Sequence, residues 1–481
     1  MTTAILWFRR DLRLDDNPAL AAALAQCERL IPLYIHQPDE EVPWAPGAAS
    51  LWWLHHSLAS LDETLRNRGS RLVIRQGNPE AVLQSLIRAH DVTHLFWNRL
   101  YEPKIIERDK RLKKRLTGAG IRCESFNASL LFEPWEISTG QKTPYKVFTA
   151  FWKACLKNGL PQSAPLLAPE RLPALPANVD PEPLEALRLL PSIPWDSGFH
   201  DCWKPGAAAA MTQLERFIAD AIAGYGSDRD FPGTIGTSRL SPHLHFGEIG
   251  PRQVLDSVRA MTEFDETMTP TGQNVYIKQL GWRDFGHHLM YHFPQTTDQP
   301  LDARFRNYPW LWKEEAGELL RAWQQGRTGF PIVDAGMREL WRTGWMHNRV
   351  RMIVASLLTK NLGIHWIEGA RWFWETLLDA DLANNSMGWQ WTAGCGADAA
   401  PFFRIFNPVA QSERFDPRGL YIRKWVPEIA RLPDKAIHAP WLQKPEILQQ
   451  AGLRLGSDYP EPVVDLKQTR EAALEQWSRI K

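Results

Sequence analysis

Hydrophobic and polar positions follow two different patterns along this 481-residue chain. Between Ala4 and about Asn127, short apolar runs alternate with stretches in which apolar residues recur three and four positions apart. Strands are predicted at residues 4–8, 30–35, 72–74, 94–97 and 121–126, and helices at residues 18–26, 51–66, 79–89 and 105–116. This alternation predicts an α/β domain with a doubly wound parallel sheet, in which ligands usually bind at the carboxyl ends of the strands.

From about Pro205 onwards only the helical pattern recurs, which indicates an all-α C-terminal domain. Helices are predicted at residues 207–223, 251–261, 272–292, 316–325, 334–342, 345–362 and 367–378. Nine of the chain's 36 prolines lie between Pro161 and Trp195, which prevents a continuous helix and indicates an extended connector that leucines hold against the surface. We therefore predict an α/β domain at residues 1–130, an interdomain linker at 131–204 and a helical domain at 205–481.

Composition sets limits on the class of protein. The chain is 44% hydrophobic, has no apolar run long enough for a membrane helix, and begins with an apolar stretch too short for a signal peptide. We expect a soluble, cytoplasmic, monomeric protein that does not contact a membrane. Its five cysteines form no CxxC pair, which argues against disulfides, zinc or an iron–sulfur cluster, so no metal is predicted. Because 56 basic and 55 acidic residues nearly cancel, any nucleic-acid site requires a local basic patch.

Tryptophan is unusually frequent, with 23 residues against nine tyrosines. Each indole brings a large apolar area and an N–H group that needs a partner. Two interpretations are open: a helical core that uses indoles for packing, or stacking and electron-carrying rings around a redox cofactor. No glycine-rich phosphate loop follows a predicted strand, and residues 97–103 are equally well interpreted as a ligand loop or as a plain strand-to-helix connection.

Candidate chemistry is concentrated in the C-terminal half. Residues 379–391 contain two carboxylates, two amides and two indoles, and residues 344–352 supply opposite charge, so the two segments together predict a deep polar and aromatic cavity. Residues 236–242 place three hydroxyls and an arginine before a proline, which suits either a pyrophosphate site or a capped helix start. Residues 398–408 form an aromatic loop with one arginine.

Five segments together resemble the DNA photolyase and cryptochrome family in their order and separation: residues 6–17, 236–242, 344–352, 379–391 and 399–408. The resemblance covers nearly the whole chain, and residues 333–341 and 394–398 are most similar to the bacterial class III photolyases of cyclobutane pyrimidine dimers. It implies an α/β antenna domain followed by an all-α FAD-binding domain. It also implies a deoxyribodipyrimidine photo-lyase, in which light-excited reduced FAD gives an electron to a dimer flipped out of UV-damaged DNA.

The resemblance assigns FAD contacts to hydroxyl, amide, carboxylate and aromatic side chains. They are Tyr225, Thr237, Ser238, Ser241, Tyr276, Arg283, Trp345, Asn348, Arg351, Asp379, Asp381 and Asn385. Within this set Arg351 and Asp379 match a salt-bridged pair beside the flavin. Asn385 matches the residue that faces flavin N5, where an amide is typical of repair enzymes and an aspartate of plant cryptochromes.

Electron transfer is assigned by the same resemblance. Trp389 and Trp366 match the proximal and middle tryptophans of the chain that photoreduces the flavin. The distal member is open, because the family spacing falls on Lys313 next to Trp312, and Trp323 offers an alternative branch. Exposure to water is expected to decide between them.

For the lesion, Trp282 and Trp391 match the indoles that pack on the dimer, and Asn348 and Met352 line the same pocket. Arg229, Arg349 and Arg404 match positions that bind DNA phosphates. These seven residues and the neighbouring Gln279 are the expected lesion and DNA contacts.

Gln279 departs from the pattern, because dimer repair enzymes carry glutamate there. Glutamine is familiar from (6-4) photolyases and from the single-strand-preferring cryptochromes, yet the sequence His347-Asn348 departs from the His-His dyad of the (6-4) enzymes. Cyclobutane dimer repair therefore stays first, with a (6-4) photoproduct photolyase and a cryptochrome-type blue-light photoreceptor as alternatives. Against the receptor, no long polar tail follows Asn407.

An antenna pigment is also implied by the resemblance. Similarity to the class III group implies 5,10-methenyltetrahydrofolate, with Glu102 as a candidate contact, and a deazaflavin is the alternative.

Overall fold

The computed structural model describes residues 2–176, 178–260, 271–399 and 403–480. Over these residues the first domain holds a five-stranded parallel sheet in the order β3-β2-β1-β4-β5. Its strands are β1 (Thr3–Phe8), β2 (Arg29–His36), β3 (Val73–Gln76), β4 (Val92–Asn98) and β5 (Arg122–Phe126). The predicted strands are confirmed, with ends shifted by no more than two residues.

Helices follow the strands and then fill the rest of the chain. In the first part they are α1 (Pro18–Gln26), α2 (Ala48–Asn67), α3 (Pro79–Ala89), α4 (Pro103–Gly118), α5 (Phe148–Asn158), α6 (Phe199–Cys202), α7 (Ala207–Asp220), α8 (Tyr225–Asp228), α9 (Ser241–His245) and α10 (Pro251–Ala260). They continue with α11 (Gly272–His292), α12 (Lys313–Gln324), α13 (Pro331–Thr343), α14 (Asn348–Ser356), α15 (Trp366–Thr376), α16 (Leu382–Ala393), α17 (Pro408–Phe415), α18 (Leu420–Trp425), α19 (Pro445–Ala451) and α20 (Leu466–Ile480).

The central strand β1 is buried along its whole length, as expected for a sheet covered on both faces. Residues of α1 and α2 join one core with one face of β1, and residues of α3 and α4 join a second core with the other face. A doubly wound α/β domain followed by a helical domain is therefore confirmed. The last residue of the predicted helix 251–261, Met261, lies outside the described residues.

One predicted helix divides. The pattern predicts a continuous helix at 345–362, but α14 begins only at Asn348, because His347 has extended backbone and caps the helix through its imidazole. The last turn, Leu357–Asn361, is π-helical. Apolar periodicity does not detect either feature. Trp345 and Met346 are buried although they precede the helix, so the apolar pattern continues past its first residue.

The predicted linker at 131–204 is only partly a connector. Helix α5 lies within it, and its Phe148, Phe151 and Trp152 belong to the same hydrophobic core as α11. An extended connector begins near Pro161, as the proline spacing predicts. It lies on the α/β domain, where the backbone N–H of Leu172 donates to the carbonyl of Arg68 (2.8 Å).

Two buried polar side chains join the domains. The guanidinium of Arg13 donates to the carbonyls of Gly247 (2.9 Å) and Ala128 (2.8 Å). The carboxylate of Glu248 accepts the indole N–H of Trp53 in α2 (3.1 Å) and the backbone N–H of Gly206 (2.7 Å). Since such groups are costly to bury without partners, the two domains are held in one relative position.

No helix within the described residues has the length and apolarity needed to span a bilayer.

The close packing of α5 on α11 generates a prediction. A Cβ atom at Gly281 would overlap the indole ring of Trp152. We expect Gly281→Ala to destabilise the protein by about 1–3 kcal/mol through this overlap, seen as a lower thermal midpoint. Gly118→Ala in α4 is the matched control, because nothing lies within 4 Å of a Cβ there; equal midpoints for the two variants would contradict the packing argument.

Candidate active site

A charged pair joins α14 to the start of α16. Arg351 donates to both carboxylate oxygens of Asp379 (3.0 and 2.8 Å), and its Nε donates to the carbonyl of Met346 (2.8 Å). Its guanidinium lies 5.9 Å from the ring centre of Trp345. The pair expected from sequence is therefore formed, and Trp345 lies beside it.

Asp381 caps α16 and lies between two buried imidazoles. Its carboxylate accepts the backbone N–H of Asn384 (2.9 Å), and its Oδ2 lies 3.6 Å from both His245 Nδ1 and His287 Nε2. Burial alone raises the pKa of Asp381, but His287 and His245 outweigh it and hold that pKa well below its usual range. Burial in turn lowers the pKa of both histidines.

The hydroxyl segment borders this cluster. Ser241, the first residue of α9, is exposed and accepts the indole N–H of Trp345 (3.3 Å). Thr237 and Ser238 are half-buried just before it, and the carbonyl of Ser238 accepts Gln213 Nε2 (2.9 Å). Hydroxyls and an indole therefore meet at one helix start, as the pyrophosphate interpretation requires.

Arg239 is the arginine of the same segment, and the sequence did not predict its contacts. Its guanidinium lies between two indoles, 4.5 Å from the ring centre of Trp203 and 4.9 Å from that of Trp345. Its φ of 53° is left-handed, a conformation that non-glycine residues rarely adopt. Neither the backbone conformation nor the two stacking partners leaves a local signal in the sequence.

Two predicted tyrosines pack together behind the hydroxyls. The rings of Tyr225 and Tyr276 have centroids 5.2 Å apart, and burial raises the pKa of both phenols above the usual value. Arg283 donates to the carbonyl of Leu244 (3.5 Å) and to that of Ser129. Arg283 therefore contacts Ser129 of the α/β domain and Leu244 of the helical domain. It also helps to lower the pKa of Asp381.

Asn385 and Trp389 lie one turn apart on α16. The amide of Asn385 donates to the carbonyl of Ala370 (3.0 Å) and is half-buried. Trp389 is buried, with ring centroids of Phe373 at 5.0 Å and Trp323 at 6.1 Å. Positions i and i+4 share one helix face, so the side chains of Asn385 and Trp389 project from the same side of α16.

The tryptophans proposed for electron transfer differ sharply in exposure. Trp366 and Trp323 are buried at 1% and 0%, whereas Trp312 is 43% exposed. Trp312 stacks on His365 at 4.1 Å, and His365 lies 5.7 Å from Trp366. Lys313 is also exposed, but it has no ring and begins α12.

The lesion candidates include one unexpected partner. Trp282 stacks on Phe148 of α5, with centroids 3.6 Å apart and planes inclined by 12°. The amide of Gln279 donates back to the carbonyl of Val275 in its own helix (2.9 Å). Asn348 is exposed at the start of α14, and Met352 is half-buried one turn later.

The basic candidates are distributed around this region. Arg404 lies 5.8 Å from the ring centre of Trp391, and Arg229 lies 5.9 Å from that of Tyr225. Arg349 donates to Asp230 (2.8 Å), so part of its charge is already balanced.

A separate cleft lies at the carboxyl ends of β1 and β2. It opens to solvent and is lined among others by Arg10, Tyr34, Glu41, Leu100, His245 and Trp374. Glu102 is buried beside it and pairs with Arg10, and burial raises the pKa of Glu41. The cleft lies at the carboxyl ends of the strands, where ligands of parallel sheets usually bind. One of its lining residues, Leu100, belongs to the segment 97–103, which the sequence predicts to be a ligand loop or a plain connection.

These features define a class: a two-domain protein whose helical domain supplies hydroxyls, a buried ion pair and indoles, the groups that a flavin dinucleotide requires. Family models support it. The DNA photolyase model matches residues 4–175, and the model of the FAD-binding domain of DNA photolyase matches residues 276–479. The chain belongs to the DNA photolyase family.

Particular relatives are similar over the full chain. A deoxyribodipyrimidine photo-lyase of Agrobacterium fabrum is 43% identical over 99% of this chain and 98% of its own. Cryptochrome-1 of Arabidopsis thaliana is 39% identical over 98% of this chain and 70% of its own. The crystal structure of a bacterial class III photolyase from Agrobacterium tumefaciens superimposes with a TM-score of 0.94, is 43% identical, and covers 100% of this chain and 98% of its own.

The residues present fit FAD. Among the residues that the structure describes, three buried donors at the candidate site have no hydrogen-bond partner: the indole N–H of Trp389, Nε of Arg239 and Nε2 of His347. Buried polar groups are nearly always hydrogen-bonded, so these donors suit a polar ligand.

Buried histidines generate a pH prediction. Burial lowers the pKa of His347 to about 4, and that of His288 and His365 likewise to about 4. An unfolded histidine has a pKa of about 6.5. Between these values the unfolded chain binds protons that the folded protein excludes, so the free energy of unfolding falls as pH falls from about 6.5 to 4.

We expect the thermal midpoint, followed by circular dichroism, to fall between pH 7 and 5. His347→Asn keeps an acceptor for the N–H of Arg349 but cannot titrate, and we expect it to reduce the slope by at most about 1.4 kcal/mol per pH unit. An identical slope in the variant would exclude the neutral buried state of His347.

Proposed function

We propose that this protein is a light-dependent DNA repair enzyme that splits cyclobutane pyrimidine dimers. The observation that carries the proposal lies on α16. One helix holds the capping carboxylate Asp381, the amide Asn385 and the indole Trp389, and ends with Trp391 beneath the exposed Arg404. The proposed cofactor contacts and the proposed DNA-facing indole of Trp391 therefore lie on one helix, within four helical turns of each other.

FAD, when bound, supplies the light-absorbing ring and the electron that it donates. The hydroxyls of Thr237, Ser238 and Ser241 are proposed to hold its phosphates, because hydroxyl donors bind an anion without adding charge. Arg351 and Asp379 are proposed to lie beside the flavin ring, where the two hydrogen bonds between them make the buried pair tolerable. The other proposed contacts are Tyr225, Tyr276, Arg283, Trp345, Asn348 and Asp381.

Asn385 is proposed to adjust the protonation of the flavin at N5. Its amide donates to the carbonyl of Ala370, which orients the side-chain oxygen away from that carbonyl. An amide offers both a donor and an acceptor and carries no charge. It therefore favours a hydrogen-bonded N5–H without the fixed negative charge that an aspartate would add.

For photoreduction we propose the order Trp312, Trp366 and Trp389, with electrons moving inward. A tryptophan that loses an electron gains positive charge, which water stabilises, so the outermost donor has to be exposed. The 43% exposure of Trp312 supports this choice. Trp323 contacts Trp389 but is 0% exposed, which suits an internal branch and not the end of the route.

The flipped-out dimer is proposed to lie against Trp282 and Trp391. Base stacking on an aromatic ring is worth about 1–3 kcal/mol per base, and the Phe148 stack holds Trp282 in one orientation. Asn348, Met352 and Gln279 complete this pocket, and Arg229, Arg349 and Arg404 are proposed to bind flanking phosphates.

Two alternative functions have specific support. Gln279 favours repair of (6-4) photoproducts, but His347 is buried and its Nδ1 caps α14, which removes it from the role of an acid at the lesion. The 39% identity to Cryptochrome-1 favours a blue-light photoreceptor. Such a receptor is expected to bind FAD without restoring damaged bases.

For the antenna we propose a folate, 5,10-methenyltetrahydrofolate, in the cleft beside β1 and β2. A pterin carries adjacent N–H groups that pair with a carboxylate, and Glu41 and Glu102 supply carboxylates at this cleft. A deazaflavin is the alternative occupant.

Dimer repair is tested directly with an irradiated oligonucleotide. We expect the protein with chemically reduced FAD to restore thymine absorbance under blue light, and Gln279→Glu to raise the rate by about tenfold, because a glutamic acid supplies a proton to the dimer that glutamine cannot. Lysine at the same position, Gln279→Lys, is the matched control for altered charge.

The same assay separates the alternatives. Restoration of (6-4) photoproducts alone, with dimers unchanged, would favour the second activity. No restoration of either lesion by fully reduced enzyme would exclude repair and favour the photoreceptor.

The antenna prediction concerns the bound pigment. We expect protein purified in dim light to carry a second chromophore whose extracted mass identifies a folate, and Glu102→Gln to retain less of it while FAD content is unchanged. Glu124→Gln, in β5 away from the cleft, is the control. An extract with a deazaflavin mass would identify the alternative pigment, and an extract with FAD alone would exclude both.

A further inference from the structure

His365 contacts three tryptophans. Its ring centroid lies 4.1 Å from Trp312 in a stacked arrangement, 5.5 Å from Trp310 and 5.7 Å from Trp366. His365 itself is nearly buried, at 9% exposure. Within the described ranges, it is the ring that contacts both Trp366 and the exposed Trp312.

The backbone fixes this arrangement. Leu311 and Ile364 form an isolated parallel bridge, in which the N–H of Leu311 donates to the carbonyl of Gly363 and the N–H of His365 donates to the carbonyl of Leu311, both at 2.9 Å. In an extended segment residues 310 and 312 point to the same side, so both indoles reach the imidazole. The contact is therefore imposed by main-chain hydrogen bonds and not by a flexible surface side chain.

We propose that His365 is a positioning residue for electron transfer from Trp312 to Trp366. It holds the exposed indole in a stacked orientation and fills the space between the two tryptophans. This inference rests on the proposed photoreduction route and adds a member that no tryptophan pattern in the sequence identifies.

The electrons balance as follows. Trp366, after losing one electron to Trp389, takes one electron from Trp312 and returns to its neutral state. Trp312 is left as a radical cation and releases its indole proton to water. A thiol in solution then gives it one hydrogen atom, which restores Trp312 and leaves a thiyl radical.

The charge of His365 suits this role. Burial, together with the nearby Arg371, lowers the pKa of His365 to about 4, so the imidazole is neutral near pH 7. A neutral ring does not repel the positive charge that forms on Trp312. It also offers a polarisable face at van der Waals distance.

A structural role has to be separated from this one, because His365 also caps α15. Its Nδ1 accepts the backbone N–H of Ile367 (3.1 Å). His365→Asn keeps a capping acceptor but removes the ring, whereas His365→Phe keeps a ring but removes the cap. The two variants therefore separate the two roles.

The experiment follows photoreduction of the FAD-loaded protein in dithiothreitol under blue light, together with the light-induced tryptophan radical detected by electron paramagnetic resonance. We expect His365→Asn to slow photoreduction and to lower the radical signal by about tenfold, and we expect the same of Trp312→Phe. His365→Phe is expected to remain within about twofold of the unmodified protein. Trp310→Phe is the control for a general disturbance of the ring cluster. Dimer repair by dithionite-reduced His365→Asn is expected to be unchanged, since that reaction bypasses the route.

Two results would overturn the role of His365 and leave the proposed route intact. The first is normal photoreduction in His365→Asn while Trp312→Phe is slow. The second is equal slowing in His365→Asn and His365→Phe, which would identify capping of α15 as the role. Normal photoreduction in Trp312→Phe would instead refute the proposed route itself, and the inference with it.

Discussion

The ionised carboxylate of Asp381 is the interaction on which the helical domain's cavity depends. It begins α16, faces His245 from α9 and His287 from α11, and so relates three helices through one buried charge. An isolated buried carboxylate would be protonated or excluded, but here His287 and His245 hold its pKa well below the usual range, and the N–H of Asn384 at the start of α16 also favours the charged form. Every functional candidate on α16 takes its position from this cap.

A second constraint fixes the relation of the two domains. Two buried hydrogen bonds cross the junction at neighbouring residues: Arg13 donates to the carbonyl of Gly247, and the carboxylate of Glu248 accepts the indole N–H of Trp53. The cleft beside β1 and β2 is lined by residues of both domains, including Arg10 from one and His245 from the other. Because His245 also faces Asp381, one imidazole contacts both the cleft and the start of α16.

Sequence patterns predicted the architecture because periodicity reports burial, and burial governs both the sheet and the helices. They identified the pair Arg351–Asp379, which is formed, and the exposed Trp312, whose role as distal donor stays a proposal. They did not identify Phe148, His365 or the two indole contacts of Arg239. Each acts through partners more than 40 residues away or through an unusual backbone angle, and neither property leaves a local signal.

The tryptophans of the proposed electron route differ in their surroundings, and this difference sets the direction that we propose for it. Trp389 and Trp366 are enclosed by apolar side chains, where a positive charge is poorly solvated. Trp312 meets water on one side and a neutral imidazole on the other. A positive charge is therefore most stable at the surface, so an electron moving inward leaves its charge where water, and then a reductant, can reach it.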